Sequence, residues 1–370
     1  MPLLIGIECA VERHRHSQDD VLAETLRWLD RIESGVDEKA VSRLFGRSGV
    51  RCRYSLKPLA EVFSDATFSE RNAQYREAMI ESSAAVVSRA VATVGLANVD
   101  AIISTSCTGF MIPAVDAYVA DRLRLGPWLT RLPITEAGCA GGAVALARTG
   151  DLLRAHPERS ALVLASEYSS LTFQARNPST TNLVATAIFG DGAAAASLVG
   201  KRHPLAHHAR AEMLASGSYF LAGNLGAMGY DVVDSGLRLV LDKRLPDLLH
   251  RNLDQAVREF LGRAGTTFDE IEGFAIHPGG RRVLDVTQEE LGLTDDALLS
   301  SREILRDYGN MSSATILFVL DRALARVDSG RLVLGIGFGP GFGIEFSLWR
   351  TMGSRASSET KQDGAEIGKS

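Results

Sequence analysis

The chain carries one strand-to-helix unit twice. A strand-like run, DAIISTSC, reaches Cys107, and a helix headed by Cys139 begins 32 residues later; a second run, IEGFAIH, reaches His277, and a helix headed by Asn310 begins 33 residues later. Each helix leads to a similar apolar strand, ALVLASE in the first case and RLVLGIG in the second. The offset between the copies is 170 residues from Cys107 to His277 and 171 from Cys139 to Asn310. Two αβ units facing each other around a pseudo-twofold gather strand ends and helix starts from both halves at one centre. Cys139, His277 and Asn310 are therefore expected to converge although they lie far apart in sequence.

With 370 residues, the chain is long enough to bury a large core, and 45% hydrophobic with 23% charged residues is ordinary for a globular α/β enzyme. A net charge of −5 gives no electrostatic case for a nucleic-acid partner or an anionic membrane surface. No apolar run is long enough to span a bilayer, and MPLLIGIECAVERH lacks the basic start and long apolar centre of a signal peptide, so the expected location is cytoplasmic. The four cysteines, Cys9, Cys52, Cys107 and Cys139, show no CxxC spacing and are expected as free thiols, with Cys9 and Cys52 structural. His14, His16, His203, His207 and His208 sit in polar stretches without acidic or thiol companions at ligand spacing, so they read as solvated loops and no metal is expected.

Taken in order, residues 3–11 read as a buried strand and 19–32 as an amphipathic helix. The segment 37–62 holds a second helical run amid Arg43, Arg47, Arg51, Arg53 and Lys57, either a solvated face or a landing site for phosphates of an anionic carrier. A long helix is expected from Thr67 to Gly95, then the strand before Cys107, a short helix over 114–125 and a strand opening near Pro133. SALVLASEYSS reads as a strand followed by a loop through Asn177 and Pro178, and IFGDGAAAASLVG as a Gly/Asp turn feeding another strand. Residues 201–235 read as an irregular, glycine-containing stretch lining a cavity. Two halves are expected, 1–215 with the cysteine and 216–350 with the histidine and asparagine, and a disordered tail at 351–370.

The stretch PITEAGCAGGAVALARTGDLL sets Cys139 on a tight turn between strand and helix. A sulfur there faces the free N–H groups of the helix start, which favour thiolate, and the glycines would let a substrate carbonyl approach the backbone. A small cysteine packed among alanines is the competing reading. His277, before Pro278-Gly279-Gly280, could pair with the thiolate, and the Asn310 amide with the imidazole N–H could form an oxyanion hole. Cys, His and Asn also build papain-like hydrolases, whose signature around the cysteine is absent here, and a non-catalytic acyl-binding protein would keep the same architecture.

GCAGG around Cys139, AIHPGG around His277, YGNMSSA around Asn310, IFGDGAAA around Phe189 and the terminal GFGPGFGIE together resemble a type III polyketide synthase of the chalcone synthase type. A strand rather than a helix follows GFGPGFG, which argues against dinucleotide binding. The resemblance implies a duplicated, thiolase-like, five-layered αβαβα fold, a homodimer and a catalytic triad of Cys139, His277 and Asn310. It implies acyl-CoA and malonyl-CoA as substrates, with no metal or organic cofactor. Phe189 would guard the mouth between a coenzyme A tunnel and an inner cavity, and Arg43 and Arg47 match two of three basic positions for coenzyme A phosphates, the third being Ala40. Ile112 would help close the neighbouring subunit's cavity. Cys107, Thr172, Tyr230, Leu239 and Ser312 would line the cavity, Tyr230 replacing a glycine and Leu239 a second gatekeeping phenylalanine. That constellation fits a malonyl-primed product such as tetrahydroxynaphthalene or a fatty-acyl-primed pyrone or resorcinol, with a lean towards the fatty acyl starter. A ketoacyl synthase III-like enzyme of fatty-acid initiation shares the triad and is the alternative.

Overall fold

The computed structural model describes residues 1–353. The first half runs β1 (Pro2–Val11), β2 (His14–Ser17), α1 (Gln18–Arg31), α2 (Glu38–Gly46), β3 (Cys52–Ser55), α3 (Leu59–Val62), α4 (Phe68–Val94), β4 (Ala101–Thr105), α5 (Val115–Leu123), β5 (Thr130–Ile134), α6 (Gly141–Ala155), β6 (Ser160–Tyr168), α7 (Thr180–Ile188) and β7 (Asp191–Gly200). The second runs β8 (Ala211–Phe220), β9 (Met228–Val233), β10 (Gly236–Leu241), α8 (Leu245–Ala264), β11 (Ile271–Ile276), α9 (Arg281–Leu291), α10 (Leu299–Tyr308), α11 (Thr315–Arg326), β12 (Leu332–Gly339) and β13 (Gly343–Thr351). Local chemistry sets several of these ends. Thr67 and Glu70 exchange hydrogen bonds at the start of α4, and Gly95 closes it in the left-handed region at φ 66°.

Nine strands form one sheet in the order β11-β12-β13-β8-β1-β7-β6-β4-β5. Its two parts meet only where Leu3 and Leu4 of β1 pair with Glu212 and Ala211 of β8. On one side β4 and β6 are parallel and β7 and β1 follow antiparallel; on the other β11 and β12 are parallel and β13 and β8 follow antiparallel. The duplication seen in sequence is thus a duplication of strand order and direction, with β5 added at the outer edge of the first half. The expected boundary at residue 215 falls inside β8.

Helices α6 and α11 lie between the two half-sheets and touch each other. Outside them, α4 covers β1, β6 and β7, while α8 covers β8 and β13 and α9 packs on α8. The five layers of the thiolase-like fold follow. Leu146 and Leu153 of α6 and Leu317, Val319 and Leu320 of α11 share one buried cluster with Val163 and Val333 from the two half-sheets. An apolar centre drawn from both halves makes each dependent on the other.

The glycines of GCAGG serve this contact. A Cβ on Gly141 would strike the Thr105 hydroxyl, and one on Gly142 would strike the Ser313 backbone oxygen and the Ile316 side chain. They let two helix starts approach, rather than admit a substrate carbonyl as the sequence suggests. Gly142→Ala adds a methyl where backbone cannot yield, and overpacking outweighs the helical preference for alanine. The variant should lose at least about 2 kcal/mol in denaturant unfolding; unchanged stability would show that the helices can separate.

Two expectations are corrected, and one element is added. Residues 201–235 are not irregular throughout, since β8 is a sheet strand and β9 pairs with β10. Its AEMLASGSYF lacks clean alternation and is held by pairing along β13 instead. His14 and His16 lie in the short strand β2, against β3, rather than in a loop. TTNLVATAI, unassigned in sequence between the Asn177–Pro178 loop and the IFGD turn, forms α7, which the Ser179 hydroxyl caps at Asn182. Thr351 still belongs to β13, and the rest of the expected tail beyond Gly353 lies outside the described residues.

Candidate active site

Cys139 sits in a single 3-10 turn, Gly138–Ala140, between β5 and α6. Gly138 adopts φ 53°, and a Cβ there would strike the Pro340 ring, so only glycine fits the approach to the GFGPG turn. His277 follows β11, its N–H bonded to Ile336 O of β12 at 2.8 Å. The ring is 1% exposed, and neither nitrogen has a hydrogen-bond partner among the described residues. Asn310 is held by backbone: its N–H donates to Ile188 O at 2.7 Å, and its carbonyl accepts from Gly190 N–H at 3.0 Å. Its side-chain oxygen accepts the Ser312 N–H at 2.9 Å, so the amide NH2 must face the other way. There it donates to Gly279 O at 3.2 Å and reaches the Cys139 sulfur.

The three side chains line one cavity of about 1030 Å3. Cys107, Phe189, Tyr230, Leu239 and Arg47 line it too. Tyr230 and Leu239 are direct partners across the β9–β10 pair, so they share one wall rather than shaping separate lobes. Ser312 lies just beneath, its hydroxyl 3.4 Å from the Cys139 sulfur and 3.2 Å from that of Cys107, in the left-handed region at φ 47°. Such strain in a serine is a mark of functional sites.

Other expected residues lie elsewhere. Thr172 lines a neighbouring void of about 60 Å3 that shares Phe189 and Leu239 with the main cavity, and it hydrogen-bonds the Tyr230 side chain. Ile112 is 95% exposed on the surface. Arg43 is absent from the cavity lining and pairs with Asp37 at 3.5 Å across exposed surface. The basic run of 37–62 thus divides: Arg47 reaches the cavity, Arg51 pairs with Asp307, Lys57 pairs with Glu61, and Arg53 is buried.

Enclosure sets the protonation states. Burial pushes the Cys139 thiol up to about 11, with the Ser312 and Asn310 bonds pulling the other way and Glu167 adding to the rise. Burial pulls His277 down to about 4. Cys139 keeps accessible surface only towards the cavity, and protein surrounds the rest. Both shifts favour the uncharged thiol and imidazole, against the thiolate that the helix start favours. Desolvation exceeds the dipole term here.

Two buried charges escaped the sequence. Glu167, in the apolar run of β6, is fully buried and accepts from the Ser106 and Thr108 hydroxyls, the Cys107 N–H and the Ser313 hydroxyl. It ties the Cys107 loop of the first half to the start of α11 in the second, and burial raises its carboxyl despite those donors. A lone glutamate inside an apolar strand was the available signal. Arg53 donates to the carbonyls of Thr186, Ala187 and Phe189, satisfying the last turn of α7 and fixing the segment that presents Phe189.

Comparison with known proteins adds an independent line. Residues 10–202 match the N-terminal domain of chalcone and stilbene synthases, and residues 212–353 match their C-terminal domain. A 1,3,6,8-tetrahydroxynaphthalene synthase of Streptomyces peucetius subsp. caesius is 35% identical over 356 residues, 93% of this chain and 92% of that protein. A phloroglucinol synthase of Pseudomonas fluorescens is 29% identical over 316 residues, 83% of this chain and 87% of that one. The crystal structure of the 1,3,6,8-tetrahydroxynaphthalene synthase of Streptomyces coelicolor, a bacterial type III polyketide synthase, matches with a TM-score of 0.88 at 30% identity, over 95% of this chain and 100% of that one.

Proposed function

Because the chain belongs to the chalcone and stilbene synthase family, and is a type III polyketide synthase, we propose that it loads an acyl-CoA on Cys139, extends it with malonyl-CoA and cyclises the product to an aromatic. The observation that carries this reading is the buried His277 imidazole, neither nitrogen partnered among the described residues, lining the cavity that holds the thiol and the Asn310 amide. A buried polar ring without partners is costly unless a reacting group completes it.

Residue chemistry then assigns the steps. As the Cys139 sulfur attacks the starter thioester, its proton passes to the neutral His277 and coenzyme A leaves as thiolate, which takes that proton away. Malonyl-CoA next loses carbon dioxide, and the electrons of the broken bond form an enolate on the thioester oxygen. His277 N–H and Asn310 N–H stabilise that oxygen where charge develops. The enolate carbon attacks the Cys139 thioester, the sulfur is released, and the chain is two carbons longer. The extended chain is now a coenzyme A thioester; the freed Cys139 sulfur attacks it, coenzyme A leaves, and repetition of the cycle precedes ring closure inside the cavity.

The cavity volume admits either a short or a fatty acyl chain. The named products of the relatives, tetrahydroxynaphthalene and phloroglucinol, carry no alkyl tail. We therefore favour malonyl over the fatty acyl starter to which the sequence leaned. Mass spectrometry of products from malonyl-CoA alone and with a panel of acyl-CoA starters tests this. An aromatic from malonyl-CoA alone supports it; turnover only of malonyl-carrier protein would give the site to a ketoacyl synthase III-like activity. Tyr230→Gly should widen the starter range, each additional methylene accommodated raising kcat/KM about fourfold, in line with ~0.8 kcal/mol per buried CH2. An unchanged product spectrum would remove Tyr230 from the specificity wall.

Homodimerisation belongs to the same proposal. Phe110 and Ile112 after β4, Trp128 before β5 and Leu132 within it are exposed at one end of the sheet, Ile112 at 95% and Trp128 at 96%. Large apolar side chains beside an edge strand suit a second copy of the chain. Sedimentation should give a dimer, and a monomer at micromolar concentration would remove the face from that role.

A further inference from the structure

The cavity entrance carries cations from three separate elements, and most of them lie outside the basic run of 37–62. Arg47 closes α2, Lys243 lies in the turn before α8, and Arg281 and Arg282 open α9, only four and five residues beyond His277. All four line the cavity that holds Cys139. The arginines of α9 remain accessible, 55% and 66% exposed. Their own acidic neighbours hold them loosely: Arg281 is 3.6 Å from Asp285, which Arg302 engages at 3.0 Å, and Arg282 is 3.9 Å from Glu289. Pairs this long and this exposed contribute little, so both guanidinium groups are available to an incoming anion.

Two carboxylates share the lining, Glu136 and Asp242. Asp242 is engaged by Arg244 at 2.6 Å, which with the Arg244 N–H holds its carboxyl down to about 2. Gly49 brings two of the cationic elements together. It lies at φ 82°, and a Cβ there would come within 3.2 Å of the Arg281 Cβ, so the turn carrying Arg47 packs against the start of α9. An entrance of four cations from three elements leads into an apolar interior that ends at the thiol. That layout fits a thioester whose carrier has a multiply charged phosphate head and a long arm.

We infer that Arg281 and Arg282, assisted by Lys243 and Arg47, are the phosphate-binding residues that select coenzyme A thioesters in this chain, Arg43 lying outside the cavity lining. The inference rests on the coenzyme A reading above and adds the residues that read the carrier. Fork-shaped guanidinium groups at adjacent positions can bridge separate phosphate oxygens, which a single lysine cannot.

The test uses the full-length R281A/R282A protein and its charge-preserving partner R281K/R282K. Isothermal calorimetry with coenzyme A itself should show a Kd at least tenfold weaker for the alanine pair and within about threefold for the lysine pair. In turnover, KM for malonyl-CoA should rise by the same factor while kcat changes less than twofold. With the malonyl thioester of N-acetylcysteamine, which lacks phosphates, the alanine pair should lose far less of its kcat/KM than it loses with malonyl-CoA. Unchanged coenzyme A affinity in the alanine pair would overturn the inference, as would an equal loss on the phosphate-free thioester, because damage would then be general. If wild type binds coenzyme A through these arginines but never condenses malonyl units, the proposed reaction fails and the inference stands.

Discussion

Cys139→Ala should abolish acyl loading and lower polyketide formation by at least about 10^4-fold, the scale on which a covalent nucleophile contributes. Malonyl-CoA decarboxylation should remain detectable in the same protein. That residual activity follows from the geometry, because the groups meant to hold the enolate oxygen, His277 and Asn310, are positioned by β11, β12 and the backbone of residues 188–190 rather than by the sulfur. Radiolabelled or mass-detected acyl-enzyme and released carbon dioxide read the two functions separately. Continued product formation would refute the nucleophile, and loss of both functions together would mean that sulfur and oxyanion hole are one unit.

Asn310→Ala should slow decarboxylation by about 10^2- to 10^3-fold, the usual cost of removing one oxyanion donor. Starter loading should fall far less, since His277 alone can take the thiol proton. The side-chain oxygen of Asn310 also accepts the Ser312 N–H, so some local loosening accompanies the change. Denaturant unfolding of the variant measures that loosening, and an intact unfolding midpoint ties the slower decarboxylation to the lost donor. Asn310→Asp keeps an acceptor for Ser312 but sets a buried carboxyl against the Gly279 oxygen, so it should lose both decarboxylation and stability. Equal losses in loading and decarboxylation would count against a donor role.

The central arrangement was legible in the sequence because duplication is a statement about order, and order survives without knowledge of packing. Cys139, His277 and Asn310 stand at equivalent ends of repeated units, and the strands that carry them are apolar enough to read directly. What stayed hidden was the fate of charge. Arg43, Arg47 and Arg53 look alike in sequence, yet one pairs on the surface, one reaches the cavity and one is buried against the carbonyl end of α7. Burial of a guanidinium depends on which backbone acceptors the fold brings to it, and no local pattern encodes that. Glu167 and the pair Arg281 and Arg282 escaped for the same reason. The sequence also shows the helix start beside Cys139 but not the enclosing walls, whose desolvation pushes the thiol the other way.

Phe189 and Asn310 are joined main chain to main chain, by the bonds from Asn310 N–H to Ile188 O and from Gly190 N–H to Asn310 O. A change that shifts the main chain at residues 188–190 therefore reaches the Asn310 backbone directly, whereas one that only turns or trims the Phe189 ring need not. Width at the doorway and placement of the amide are thus separable through the ring and coupled through the backbone.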